Sequence, residues 1–193
     1  DASQSMLGQW DGQQKMKVAS RLLSNLMDSL KSVEDLEVGM RVYGHQFSVA
    51  AGDRSCEDTK LEVPFSGSSG YENIKTTLGQ LHPKGTTPIA YSLEQTKNDF
   101  PPCSNCRNII ILITDGIEEC GGDPCAISMK LQRQGIVLKP FVIGIGLDMD
   151  FKKSFECLGA FYDASDEATF KKVLGIVISQ ALNETSAQIN LID

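Results

Sequence analysis

The sequence lacks the features that mark several large functional classes. No run of apolar residues approaches the roughly 20 needed to cross a bilayer, and no signal-peptide pattern opens the chain. There is no basic stripe. Acidic residues number 25 against 18 basic ones, for a formal net charge of -7, which argues against a nucleic-acid surface. The two histidines, His45 and His82, have no neighbour at metal-ligand spacing, so structural roles are expected for both. A Walker loop is missing, and the opening motif carries Ser3 where an Asp-x-Asp pair would need a second Asp, which counts against phosphoryl transfer. Gly144-Ile145-Gly146 has neither the further glycine nor the helix start of a dinucleotide fingerprint and reads as a turn.

Cysteine, by contrast, is abundant. Six in a 193-residue chain is a high and even count, which favours disulfides in a periplasmic, cell-surface or secreted setting. The competing expectation is a zinc site built from Cys103-Ser104-Asn105-Cys106 and Cys120-Gly121-Gly122-Asp123-Pro124-Cys125. Residues 108–114 between the two pairs are strand-forming, and seven residues at about 3.3 Å each hold the pairs roughly 23 Å apart. One zinc ion does not reach both. Cys103–Cys106 is the simplest local pair, and the other four allow three connectivities. Cys125–Cys157 and Cys56–Cys120 are favoured, because Cys56 and Cys157 should lie towards opposite sides of the sheet.

Length and a hydrophobic content of 41% suit one domain with one core. Hydrophobic periodicity predicts helices over 14–31, 71–81, 88–99, 124–134, 151–157 and 167–182. Strands are predicted over 36–47, 60–65, 109–114, 136–145 and 161–164, the second stopped near Pro64 and the Gly67-Ser68-Ser69-Gly70 turn. Residues 6–13 and 50–58 read as loops. The 109–114 run is continuously apolar, as in a parallel sheet covered on both faces. Alternating strands and helices imply a doubly wound, Rossmann-like α/β fold, with its ligand site at the carboxyl ends of the strands.

Three of those ends carry hard oxygen donors. They are Asp1-Ala2-Ser3-Gln4-Ser5 ahead of the first helix, Gly85-Thr86-Thr87-Pro88 ahead of the third, and Thr114-Asp115-Gly116 after the central apolar strand. Two carboxylates and three hydroxyls suit Mg²⁺, Mn²⁺ or Ca²⁺ better than zinc or copper. Positions 1, 3 and 5 of an extended segment point to one side. In the bland alternative, Ser3, Ser5 and Thr87 cap helices and Asp115 starts a turn.

In this order the three motifs resemble the metal-ion-dependent adhesion site (MIDAS) of von Willebrand factor type A (VWA) domains, and the resemblance covers nearly the whole chain. It implies metal ligation, direct or through water, by Asp1, Ser3, Ser5, Thr87 and Asp115, with Thr86 as the alternative hydroxyl. It implies a domain over 1–183, followed by a linker or the start of another domain over 184–193. It also implies a central strand upstream of residue 1. The expected function is a non-catalytic, cation-dependent adhesion module of a larger extracellular or cell-envelope protein. A partner protein's acidic side chain would complete the coordination of Mg²⁺ (or Mn²⁺ or Ca²⁺). No nucleic-acid partner and no membrane insertion by this segment are expected. A Mg²⁺-dependent phosphoryl-transfer enzyme and a domain merely stabilised by metal are the alternatives.

Trp10 and Asp11, in the predicted loop, stand either beside the ion or, for Trp10, as a lid on the domain's own core. Glu118, Glu119, Asp123, Asp148 and Asp150 read as solvated loop acids at the same edge.

Overall fold

The computed structural model describes residues 1–133, 141–145, 151–155, 157–158 and 161–183. Expectations for 134–140 and 184–193 lie outside these residues, as do Gly146, Asp148 and Asp150. The chain is α/β. In order it forms β1 (Gln9–Trp10), β2 (Gln13–Gln14), α1 (Lys15–Leu30), β3 (Val38–Tyr43), α2 (Asp53–Cys56), β4 (Thr59–Ser66), α3 (Ser68–Leu78) and α4 (Ile89–Gln95). It continues with β5 (Ile111–Thr114), α5 (Pro124–Arg133), β6 (Phe141–Ile145), α6 (Lys152–Phe155), β7 (Phe161–Ala164) and α7 (Glu167–Asn183).

β5, β6 and β7 pair in parallel, with Thr114 opposite Gly144 and Gly144 opposite Asp163. Alternation along β5 shows why it is apolar throughout. Ile111 and Ile113 pack into a cluster with Met16, Val18 and Leu22 of α1 and Phe170, Val173 and Val177 of α7. Leu112, between them, packs with Ile89 and Leu93 of α4, Leu131 of α5 and Phe155 of α6. Both faces of β5 are therefore covered by helices, and both need apolar side chains.

β3 and β4 form a separate antiparallel ladder with register shifts around Met40. Pro64 does not end β4 as expected; the strand runs on to Ser66. Pro64 sits exposed at this irregular register, where a residue without an N–H disrupts nothing essential. Among the described residues, β3 pairs only with β4 and β5 only with β6. Both line one cleft of about 1270 Å³.

Two loops predicted from polarity contain structure. Residues 6–13 include the β1–β2 hairpin, turned by Asp11 and Gly12 at φ 51° and 75°. An Asp-Gly pair with both φ positive is the natural two-residue hairpin turn. Residues 50–58 include α2, preceded by a 3₁₀ turn over Val49–Ala51. The hairpin turns Trp10 inward. The ring is 6% exposed, meets Phe170 edge-on at 6.0 Å, and donates from Nε1 to Ser165 O at 2.8 Å. It lids the core.

All six cysteines are bridged, as Cys56–Cys120, Cys103–Cys106 and Cys125–Cys157, so no thiolate zinc site forms. The disulfides indicate a non-cytoplasmic location. No helix among the described residues is long and apolar enough to cross a membrane.

Trp10→Phe should keep most of the packing but lose the bond to Ser165, costing about 1–2 kcal/mol in urea unfolding. Cation binding by this variant, measured calorimetrically, should match that of the parent protein.

Candidate metal centre

The carboxyl ends of β3 and β5 meet at the first residues of the chain. The Asp1 amino group donates to Ile113 O at 3.1 Å, and Ala2 N–H donates to Tyr43 O at 2.9 Å. Ser3 bridges Gly85, with Gln4 N–H on Gly85 O at 2.8 Å. Gly44, just past β3, accepts from Gly85 N–H at 2.8 Å. Three loops thus cross within backbone contact. Gly44 is required there: its φ is +72°, and a Cβ would lie 2.7 Å from Thr86 O and 2.8 Å from Ser3 N.

This crossing fixes the donors. Asp1 Oδ1 accepts from its own loop, at Ser3 N–H (2.8 Å), and Oδ2 accepts from the Thr114 hydroxyl (2.7 Å). Ser3 Oγ and Ser5 Oγ lie 2.9 Å apart, and Ser5 Oγ donates to Asp115 Oδ1 at 2.6 Å. Gly116 keeps the next space clear: a Cβ on it would stand 3.6 Å from Thr87 Oγ1 and 4.0 Å from Ser5 Oγ. Ser3, Thr87 and Asp115 are buried, whereas Ser5 is exposed, so the cluster opens on the Ser5 side. Its members are carboxylate and hydroxyl oxygens, the hard donors that a divalent cation of the Mg²⁺ or Ca²⁺ type accepts. The residues fit such an ion.

Four further residues shape the centre. Thr114, buried beneath it, orients Asp1. Lys15 places Nζ 2.8 Å from Asp115 Oδ2, at side-chain exposures of 16% and 0%. Glu119 Oε2 accepts from both Thr87 N–H (3.1 Å) and Thr87 Oγ1 (3.0 Å). Glu118 accepts from Ala90, Cys120 and Gly122 N–H groups, capping the start of α4 and folding its own loop. Glu119 is exposed, as expected of a loop acid, yet both it and half-buried Glu118 are also held by backbone donors of the loop that would otherwise lack partners. Asp123 caps α5 through Ala126 N–H at 3.0 Å. Burial, with the Asp115, Glu118 and Glu119 charges adding to it, pushes the Tyr43 phenol far up and keeps it neutral under the site.

Of the rim residues, Thr86 bonds Ser55 Oγ and lies against the Cys56–Cys120 bridge, 3.4 Å from Cys120 Sγ. Asp11 is exposed at the hairpin tip, and Trp10 is withdrawn into the core.

The von Willebrand factor type A domain model matches residues 1–174, and the chain belongs to that family. Among its relatives is the uncharacterized protein YwmD of Bacillus subtilis strain 168. It is 32% identical over 155 residues, covering 77% of this chain and 66% of YwmD, just under two thirds of that protein. The fold is similar to that of the pilus adhesin SpaC from Lactobacillus rhamnosus GG (TM-score 0.74, 14% identity, 94% of this chain and 29% of that one). It is also similar to proximal thread matrix protein 1 from the mussel byssus with a zinc-occupied MIDAS motif (TM-score 0.68, 20% identity, 94% and 46% covered). Family membership supports a divalent metal as cofactor.

Gly44→Ala should cost at least about 2 kcal/mol by combining an unfavourable φ with backbone overlap. Because the overlap falls on the Ser3 and Thr86 loops, Mn²⁺ affinity should fall with it, read by titration calorimetry.

Proposed function

We propose that residues 1–183 form a divalent-cation-dependent protein-binding module of a larger extracellular or cell-envelope protein. Asp1, Ser3, Ser5, Thr87 and Asp115 hold the ion, and an acidic side chain of the partner completes its coordination. The observation that carries this reading is the continuous chain Ser3 Oγ–Ser5 Oγ–Asp115 Oδ1, drawn from two loops and faced by Thr87 from a third. The ion is a hard dication, Mg²⁺ or in its place Mn²⁺ or Ca²⁺, because every donor is an oxygen.

A bound divalent ion supplies an electrophilic centre for a carboxylate. The chain's own residues do the rest. Ser3 and Thr114 fix the Asp1 carboxylate, Glu119 orients the Thr87 hydroxyl, and exposed Ser5 leaves one side accessible. Each of these contacts positions an oxygen donor around one opening, which favours a binding role.

The finer fold reading belongs to the same proposal. An extended segment running into Asp1 would lie parallel to β3 and β5 and join both ladders into one doubly wound sheet. The cleft lined by both strands supports it, as do the bonds of Asp1 and Ala2 to Ile113 O and Tyr43 O.

Titration with Mn²⁺ should show one site in the parent protein, with affinity at least tenfold lower in Asp115→Ala. Cation at one hundred times its dissociation constant should add about 2.7 kcal/mol of stability, removable by EDTA. Displayed peptides selected in Mn²⁺ and eluted with EDTA should share an Asp or Glu. Absence of Mn²⁺ binding, or peptides retained equally in EDTA, would refute the proposal.

A further inference from the structure

Lys15 is out of place by the ordinary rules of helix design. It is the first residue of α1, whose first turn carries no acidic side chain and whose N-cap, Gln14, makes no side-chain capping bond. The helix macrodipole disfavours a cation at this end, and a side chain that is 16% exposed gains little from water. Something else must hold it. Its N–H bonds Gly8 O at 2.9 Å, and its stem lies over Gly8, with Cε 3.7 Å from where a Cβ would stand. This path, just beyond the Ser3–Ser5 segment, delivers Nζ to Asp115 Oδ2 at 2.8 Å.

Asp115 consequently has its two oxygens divided. Oδ1 takes the Ser5 hydroxyl and Oδ2 takes the Lys15 ammonium, while the side chain itself is 0% exposed. A carboxylate withdrawn from water this fully needs a charged or hydrogen-bonding partner at all times. Beyond the metal reading, on which it rests, we infer that Lys15 is a resident counter-cation that sets the metal affinity of the site. It keeps the Asp115 carboxylate paired and aimed when no ion is bound. It also opposes an incoming dication, since any ion on Asp115 lies within about 5–7 Å of a fixed positive charge. Glu119, on the Thr87 side, contributes the opposite charge, so the two flanking groups offset one another. The design trades cation affinity for a preassembled site.

The test compares Lys15→Met, Lys15→Gln and Lys15→Arg by Mn²⁺ titration and by melting in EDTA. Met and Gln should bind Mn²⁺ at least about tenfold more tightly than the parent protein and melt lower in EDTA, while Arg should stay within about threefold in affinity. Loss of a merely structural contact would weaken metal binding, so the sign separates the two roles. Gln retains a donor for Asp115 and keeps the comparison usable if Met folds poorly. Equal or weaker Mn²⁺ binding by the folded uncharged variants overturns the inference. A parent protein that binds no Mn²⁺ refutes the underlying metal reading instead.

Discussion

The Asp115 carboxylate is the constraint around which the molecule is arranged. It stands one residue past β5, the strand whose two faces are both covered by helices, and so its backbone position is fixed by the core. Its side chain is out of water, held by Ser5 from the first loop and Lys15 from the start of α1. Buried carboxylates are costly unless fully paired. Those two partners therefore determine where the chain's first fifteen residues run.

The remaining donors follow from backbone packing. Ser3, Gly44 and Gly85 meet so closely that side chains at the two glycines are sterically excluded. That contact brings Thr87 to the same opening as Ser3 and Ser5. Glu118 and Glu119 then complete the wall by satisfying N–H groups of the α4 entry and their own loop. The centre is thus assembled mainly by hydrogen bonds between loops.

Much of this was legible in the sequence, and the reasons are physical. The unbroken apolar run at 109–114 gave away a strand covered on both faces, and the oxygen-bearing residues Ser3, Ser5, Thr87 and Asp115, picked out from three separate segments, do line one opening. The disulfide pairing expected for all six cysteines agrees with the structure. Polarity misled where short structure is held by turns. The Asp11-Gly12 hairpin carries its own signal, two residues made for positive φ, and it puts Trp10 on the core, one of the two places the sequence left open. Pro64 was read as a stop although an irregular register tolerates it. Lys15 also had a signal, a cation at a helix start with no acid nearby. Glu119 had none, because an acid in a loop looks the same whether it is solvated or bonded to Thr87.

The Cys56–Cys120 bridge joins segments 64 residues apart and rests against Thr86, next to Thr87. A load on the Thr86–Thr87 segment or on the Asp115–Cys120 loop would therefore pass into two covalently stitched segments at once. Peeling the Asp115–Cys120 loop away under tension requires breaking an S–S bond.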